Sequence, residues 1–164
     1  MKGSTHILYL LLGSNLGDKK KNLDDALEII NKRIGLVSKT SSLYETEPWG
    51  FTSEDYFLNM AAKVDTLLSP EEVLQQVNNI ELDCGRKRQG MGYESRTIDI
   101  DILFYDDLIL ATSALTIPHP HIEERRFVLV PLNEIAKDLI HPGSRNTITE
   151  LMLTCHDSKK VMKL

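Results

Sequence analysis

Apolar and polar side chains alternate in one segment of this chain, residues 96–105, which read RTIDIDILFY. Successive side chains of a β-strand point to opposite faces, so the alternation predicts a strand with two unlike faces. One face carries Ile98, Ile100, Ile102 and Phe104, and the other carries Thr97, Asp99, Asp101, Leu103 and Tyr105. Asp99 and Asp101 should therefore lie on the same face, about 6.6 Å apart along the strand.

Asp99 and Asp101 at this spacing repel each other unless a cation lies between them or one of them is protonated. Mg²⁺ suits such a pair, because it is usually held by one or two carboxylates while substrate phosphates fill other positions. The alternative is a solvated strand face, since aspartate is depleted in strands and prefers the surface. The residues that precede the strand favour the metal site.

A basic segment lies before the strand, and its charged residues are Arg86, Lys87, Arg88 and Arg96. Guanidinium groups bind phosphate oxygens in bidentate fashion, and arginines beside metal ions are the usual components of phosphoryl-transfer sites. Glycines in the same segment would let the arginines move onto a ligand. A solvated charged loop is the alternative, but the neighbouring aspartates favour a site for a polyphosphate bridged by metal.

The composition is that of one globular domain over residues 1–164, with 41% apolar and 26% charged side chains. A formal net charge of −5 argues against a nucleic-acid or anionic-membrane partner, which needs an extended basic surface. Cys84 and Cys155 lack the spacing of a zinc site or a disulfide framework. The apolar run at residues 7–12 is too short for a membrane span and lacks a signal-peptide cleavage pattern, so we expect a cytoplasmic protein.

The hydrophobic pattern predicts strands and helices in the order β-α-β-β-α-β. The predicted elements are a strand His6–Leu12, a helix Lys19–Arg33, strands Leu36–Glu45 and Tyr56–Thr66, a helix from Ser69 to about Cys84, and the strand at 97–105. Ser69 opens the second helix, because it is followed by proline and, three residues on, by Glu72. This order is that of a ferredoxin-like α+β fold, an antiparallel sheet with helices packed on it.

The C-terminal third of the sequence is predicted to be mainly helical. Short β structure is expected at Leu108–Leu115, and a helix at Phe127–Ala136 contains Pro131 near its first turn. Thr147 and Glu150 have the spacing of a capping box before a last short helix.

A loop and strand rich in aromatic residues surround Asn59. Trp49, the only tryptophan, lies in a Pro/Gly loop, and Phe57 and Asn59 are two residues apart, on one strand face. Aromatic rings stack on flat heterocycles, and an asparagine offers donors and an acceptor to a ring edge. Core packing is the alternative for the aromatic residues, whereas a buried Asn59 must hydrogen-bond something. A planar polar ligand would satisfy it.

Short motifs occur in a fixed order over nearly the whole chain: LGSNLGD at 12–18, SSLYET at 41–46, FLNMA at 57–61, IEL at 80–82, GR at 85–86, RTIDIDIL at 96–103, PHP at 118–120, RFVL at 126–129 and PL at 131–132. As an ordered set they resemble the 6-hydroxymethyl-7,8-dihydropterin pyrophosphokinases of folate biosynthesis. The resemblance implies an ATP-dependent diphosphotransferase, which moves a diphosphate from ATP to the hydroxymethyl oxygen of the pterin and releases AMP.

The resemblance also implies roles for individual residues. Asp99 and Asp101 would hold two Mg²⁺ ions, one between the α- and β-phosphates and one between the β- and γ-phosphates, the second also touching the attacking hydroxyl. Arg86 and Arg96 match catalytic arginines. The matched ATP-binding positions are Glu81, Arg88, Ile102, Thr116, His119 and Arg125. The matched pterin-binding positions are Thr46, Pro48, Trp49, Phe57, Asn59 and Phe127, with Asn59 at the ring edge and Phe127 stacking. The partners implied are these small molecules, and we expect a monomer.

The chain departs from the family pattern at several positions. Gly92 and Tyr93 stand where many relatives have arginine and tryptophan, and Ala114 stands where some have an arginine facing the triphosphate. Pro120 replaces a tyrosine and Glu47 a second proline. We expect these changes to affect loop closure and nucleotide affinity and to leave the reaction unchanged.

Two other functions fit parts of the pattern. A non-catalytic ferredoxin-like module that binds a small planar ligand would use the aromatic pocket without needing the arginines. A metal-dependent nuclease would use the two aspartates, since paired metal sites also cut phosphodiesters. The acidic net charge argues against the nuclease.

Overall fold

The structure is a computed structural model that describes residues 3–46, 56–85 and 97–164. Its strands are β1 (His6–Ser14), β2 (Gly35–Thr40), β3 (Tyr44–Thr46), β4 (Phe57–Thr66), β5 (Asp99–Tyr105), β6 (Leu110–Ala111), β7 (Thr116–Ile117) and β8 (Val161–Lys163). Its α-helices are α1 (Lys19–Arg33), α2 (Pro70–Asp83), α3 (Arg126–Ala136) and α4 (Ile148–Thr154). A short 3₁₀ helix spans Ile122–Glu124. None of the described helices is long and apolar enough to cross a membrane.

The main sheet has the strand order β5-β1-β4-β3-β8, and β2 also pairs with β4. Every pairing in it is antiparallel. β6 and β7 form a separate two-stranded sheet. The predicted ferredoxin-like α+β fold is confirmed.

Helices cover both faces of the main sheet. On one face, α1 and α2 pack on alternate residues of β1, and this core includes Leu8, Leu10, Leu12, Leu23, Ile30, Val73 and Ile80. On the other face, α3 and α4 pack on the intervening residues, and this core includes Tyr9, Leu11, Ala61, Leu129, Leu132, Ile148 and Leu151. Alternate residues of the strands thus contribute to two separate cores, one on each face of the sheet.

The side chains of β5 lie on their predicted faces up to Leu103, and those of the last two residues lie on the opposite faces. Ile98, Ile100 and Ile102 belong to the core beneath α1 and α2, as predicted, but Phe104 joins the α3 core and Tyr105 the α2 core. The prediction for these last two residues was wrong. The pairing of β1 with β5 shifts register at this point, and an extra residue in one strand reverses the faces of the residues after it.

The predicted strand Leu36–Glu45 is also wrong as a single element, because it divides into β2 and β3. Ser41 lies at the break. Its backbone N–H donates to the Ala61 carbonyl at 2.9 Å, and its hydroxyl oxygen accepts from the Ala61 N–H at 2.9 Å. A side chain that takes over a ladder bond in this way lets the backbone turn without leaving a buried amide unsatisfied.

The helices match their predicted positions closely. α1 has the predicted bounds, with Asp18 as its N-cap. Ser69 and Glu72 form the predicted capping box of α2, and Thr147 and Glu150 form that of α4. β8, in the predicted helical tail, was missed, and the β structure expected at 108–115 is shorter than predicted.

Candidate active site

A row of three residues crosses the sheet where β4, β1 and β5 lie side by side. Gly13 of β1 pairs with Asn59 of β4 on one side and with Asp99 of β5 on the other. Directly paired residues of antiparallel strands face the same side, and neighbouring strands lie about 4.8 Å apart. Asn59 and Asp99 are therefore held about 10 Å apart on the α3 side of the sheet. The next row brings Asp101 opposite Leu11, so both carboxylates share this face, as predicted.

Gly13 leaves room for the side chain of Asn59. A Cβ atom at this position would lie 2.5 Å from Asn59 Oδ1 and 3.9 Å from Phe57 Cδ1. The amide of Asn59 therefore lies over the backbone of β1, and Phe57 shares its face, as predicted. We did not predict a role for Gly13 from the sequence. Its signal is a glycine near the end of an otherwise apolar strand, which often marks a close approach of another group.

Asn59 is buried, with 3% of its surface exposed, and its position is fixed by β3. Its Nδ2 group donates a 2.6 Å hydrogen bond to the hydroxyl of Thr46, which is also buried. The two residues were predicted to belong to one pocket, and the structure brings them into direct contact. The hydrogen bond fixes the orientation of the Asn59 amide, so its polar atoms are already in position before a ligand binds.

The first turn of α3 lies on the same side of the sheet. Phe127 is half-buried and packs against the core that includes Ala61, two residues along β4 from Asn59. The guanidinium of Arg125, the N-cap residue, lies 5.8 Å from the centre of the Phe127 ring. This cation–π distance links a residue predicted to bind ATP with one predicted to bind the pterin.

Glu81 supports the strand that carries the aspartates. It is buried on α2, and its Oε2 atom accepts a 2.9 Å hydrogen bond from the backbone N–H of Ile100. β5 is the terminal strand of the sheet, so this N–H points away from β1. The carboxylate thus holds the residue between Asp99 and Asp101 in place. The nucleotide contact predicted for Glu81 stays a prediction.

A cleft of about 300 Å³ lies along the outer edge of β5, between α2 and the residues around β6 and β7. Asp101 lines it together with three predicted nucleotide-binding residues, Ile102, Thr116 and His119. Leu74 and Val77 add apolar surface, and Asn78 adds an amide that we did not predict. The lining of the cleft therefore mixes apolar and polar side chains in about equal numbers, so it offers both contact surface and hydrogen-bonding groups to a small molecule.

His119 is a neutral hydrogen-bonding group in this cleft. Burial, the nearby charge of Arg125 and His121 together lower its pKa from 6.5 to about 4. Its Nδ1 atom accepts a hydrogen bond from the backbone N–H of His121 at 3.2 Å. A neutral imidazole whose Nδ1 accepts carries its proton on Nε2, so His119 presents an N–H donor at neutral pH.

The remaining predicted site residues lie outside the described part of the chain: they are Arg86, Arg88, Arg96, Pro48 and Trp49. Within the described residues, no group of three or more His, Cys, Asp or Glu side chains is arranged to hold a metal ion. A magnesium ion at Asp99 and Asp101 would need further oxygen ligands, which substrate phosphates and water supply in sites of this kind.

The sequence and the fold are similar to those of known proteins. Residues 9–137 match the model of the family described as 7,8-dihydro-6-hydroxymethylpterin-pyrophosphokinase (HPPK). The chain is 39% identical over 143 residues to 2-amino-4-hydroxy-6-hydroxymethyldihydropteridine pyrophosphokinase of Aquifex aeolicus, covering 87% of this chain and 88% of that one. It is 44% identical over 136 residues to the protein of the same name from Methylorubrum extorquens, covering 82% and 85%.

Longer proteins contain a similar region. The chain is 42% identical over 151 residues to the folic acid synthesis protein FOL1 of Dictyostelium discoideum, covering 90% of this chain but only 22% of that one. The crystal structure of wild-type Plasmodium falciparum HPPK-DHPS with pteroate has a similar fold, with a TM-score of 0.78 at 19% identity, covering 93% of this chain and 45% of that one. The chain thus spans about a fifth of the Dictyostelium protein and most of the two bacterial proteins. It belongs to the 7,8-dihydro-6-hydroxymethylpterin-pyrophosphokinase family.

Proposed function

We propose that this protein transfers a diphosphate group from ATP to the hydroxymethyl group of 6-hydroxymethyl-7,8-dihydropterin and releases AMP, a step of folate biosynthesis. The observation that supports the proposal is the row of Asn59, Gly13 and Asp99, which puts a buried amide and a pair of carboxylates on one face of the sheet. The family membership supports the same reaction.

The pterin would lie on the α3 side of the sheet, with its polar edge at Asn59. Thr46 uses one of the two N–H donors of Nδ2, so the amide would offer its second N–H and the acceptor Oδ1 to the polar edge of the ring. Phe57 and Phe127 supply aromatic surface on the same side, and Phe127 would stack on the bicyclic ring. Pro48 and Trp49 would complete the pocket.

Asp99 and Asp101 would hold Mg²⁺, and we propose two ions. The donor set fits, because both residues present carboxylate oxygens from one strand face and are only half-buried. When bound, the ions would neutralise phosphate charge and align the attacking hydroxyl. Glu81 would keep the two carboxylates in register by holding the backbone between them.

ATP would bind along the edge of β5, with its base in the cleft and its phosphates directed past Asp101 toward the pterin. Ile102 gives apolar contact, and Thr116 and the Nε2–H of His119 give polar contacts. Arg86, Arg88, Arg96 and Arg125 would offset the triphosphate charge. The hydroxyl oxygen of the pterin would then bond to the β-phosphorus and release its proton to water, the bond from that phosphorus to the oxygen bridging the α- and β-phosphates would break, and this oxygen would leave with AMP.

Incubation with ATP, Mg²⁺ and hydroxymethyl-dihydropterin, followed by separation of AMP from ADP, tests the proposal. We expect AMP only when the pterin is present. ADP formation, or AMP formation that does not need the pterin, would contradict the proposed reaction. Binding of the pterin without any AMP would favour the non-catalytic ligand-binding module. A monomeric state, a cytoplasmic location and a single domain over residues 1–164 stay predictions.

A further inference from the structure

One carboxylate ties helix α3 to the strand that supports Asn59. Glu134, in the third turn of α3, accepts a hydrogen bond from the hydroxyl of Tyr44 on β3 at 2.5 Å through Oε1. Its Oε2 atom accepts from the backbone N–H of Ser42 at 2.9 Å and from the Ser42 hydroxyl at 3.0 Å. Three donors from one short segment therefore meet on a single side chain of α3.

The same helix carries Phe127, seven residues before Glu134. Seven residues are close to two turns of an α-helix, so both side chains lie on the same side of α3, toward the sheet. Helix α3 runs from Arg126 to Ala136 with Pro131 between the two residues. Its position over the sheet is set by the packing of Leu129 and Leu132 together with the attachment at Glu134, so both contribute to the distance of Phe127 from the sheet.

The strand end of this connection reaches Asn59 by two routes. Tyr44 is paired directly with Asn59 in the register of β3 and β4. Two residues further along β3, Thr46 accepts the hydrogen bond that orients the Asn59 amide. The connection thus joins the two walls between which the pterin is proposed to lie.

Burial and charge keep this connection formed near neutral pH. Burial of the ring, the hydrogen bond to Glu134 and the negative charge of Glu134 raise the pKa of Tyr44 to about 12. Glu134 is itself exposed; partial desolvation acts to raise its pKa, but hydrogen bonds from Tyr44 and Ser42 outweigh this and leave the pKa below its ordinary value. Tyr44 thus stays a donor and Glu134 an ionised acceptor, which makes the hydrogen bond one of the stronger kind.

We propose that Tyr44, Ser42 and Glu134 are positioning residues that fix the distance between Asn59 and Phe127 and thereby set the affinity for the pterin. This inference rests on the proposed function, because it names a ligand of the same site. None of the three residues needs to touch the substrate. The hydrogen bonds act through the placement of β3 and α3.

The test compares Tyr44→Phe and Glu134→Gln with the unmodified protein. The dissociation constant of hydroxymethyl-dihydropterin is measured by its fluorescence, and KM for each substrate and kcat are measured by AMP release. We expect the dissociation constant and KM of the pterin to rise about tenfold, the effect of losing one strong hydrogen bond, while KM for ATP changes less than about twofold. Ser42→Ala, which keeps the backbone donor, should give a smaller rise.

Thr149→Val is the matched control. The Thr149 hydroxyl donates a 2.7 Å hydrogen bond to Asn133, the residue beside Glu134, and so links α3 to α4 without reaching β3. We expect this variant to lower the melting temperature by a few degrees and to leave pterin affinity unchanged. A loss of pterin affinity as large as that of Tyr44→Phe would contradict the inference, since any weakening of α3 would then suffice.

A double-mutant cycle separates positioning from general stability. If Tyr44 acts by placing Asn59, then Tyr44→Phe should have little further effect on pterin affinity once Asn59→Ala is present. Independent effects that multiply, or a Tyr44→Phe variant whose pterin affinity is unchanged, would show that the inference is wrong. An unmodified protein that neither binds the pterin nor forms AMP would overturn the proposed function itself, which is a distinct result.

Discussion

Substitution of Gly13 by alanine should disrupt the proposed pterin site, because the added methyl group would displace the side chain of Asn59. The added Cβ would lie 2.5 Å from Asn59 Oδ1, whereas ordinary contact begins at 3.4 Å, so the amide must move by about 0.9 Å. Such a shift is enough to break the 2.6 Å hydrogen bond between Asn59 and Thr46. A buried amide that loses its partner costs about 1–3 kcal/mol, and overpacking of a strand interior costs a similar amount.

Two measurements follow from this geometry. Thermal unfolding should show a melting temperature about 4–24 °C lower, since the two costs sum to about 2–6 kcal/mol and 1 kcal/mol corresponds to about 2–4 °C for a chain of this size. The dissociation constant of the pterin should rise about tenfold or more, because the Asn59 amide that is proposed to bind the edge of the ring is displaced. Addition of Asn59→Ala to Gly13→Ala should recover part of the stability, because it removes the clashing atom, without recovering pterin affinity.

Gly143→Ala is the control for a steric clash elsewhere. Its Cβ would lie 3.0 Å from Cε1 of His141, at an exposed position away from the sheet row, so the ring would have to give by only a few tenths of an ångström. We expect a small change in melting temperature and no change in pterin affinity. A Gly13→Ala variant with normal melting and normal pterin binding would refute the account of the Asn59 site.

Three further predictions concern the aspartate pair, a helix cap and a buried histidine. Asp101→Asn should reduce AMP formation by at least about a hundredfold with the fold intact. Asp107→Asn, in the exposed turn after β5, is the control and should leave AMP formation unchanged. Equal activities of the two variants would contradict the metal assignment. Ser69→Ala should lower the stability by about 1 kcal/mol and the melting temperature by about 2–4 °C, since it removes the hydroxyl that accepts from the backbone N–H of Glu72 in the capping box of α2; an unchanged melting temperature would argue against the cap. His119 has a folded-state pKa of about 4, below its ordinary 6.5, so the folded protein binds fewer protons than the unfolded chain between these values and loses stability as the pH falls from 6.5 to 4. The melting temperature of His119→Gln should therefore fall less over this interval, and parallel pH profiles of the two proteins would contradict the burial of a neutral imidazole.

The sequence predicted those elements whose signals are local. α1 was predicted with its bounds because apolar residues recur at helical spacing from Leu23 to Ile34, after the turn at residues 13–18. The strand of the aspartates was predicted because a period of two does not depend on tertiary context. The order of motifs identified the family, and the comparison confirms it.

The features that the sequence did not predict depend on how strands pair. The exchange of Phe104 and Tyr105 follows from a register shift against β1, and the break between β2 and β3 follows from a hydrogen bond of Ser41 to β4, about 20 residues away along the chain. β8 is only three residues long and exists because β3 offers it a partner. Periodicity within a segment contains no information on these partners.

In the candidate site, too, the sequence predicted individual residues but not how the strands place them relative to one another. Sequence motifs indicated Asn59 and Asp99 separately, one for the pterin and one for the metal, but not the distance between them. That distance is set by Gly13, whose pairing places β1 between the two residues as a spacer without a side chain. Any residue with a Cβ at this position would fill the surface that links the two halves of the proposed site.

The position of β5 at the end of the sheet explains how one carboxylate pair could reach both of the proposed substrates. Asp101 lines the cleft on the outer side of β5, while its register partner Leu11 places it on the face shared with Asn59. A strand paired on both sides would close the outer approach. An open edge also exposes backbone amides, and here the carboxylate of Glu81 satisfies that of Ile100 where another strand would otherwise do so. Loss of this carboxylate, as in Glu81→Ala, should therefore disturb both aspartates at once, so we expect it to reduce kcat for AMP formation more than it raises KM for either substrate.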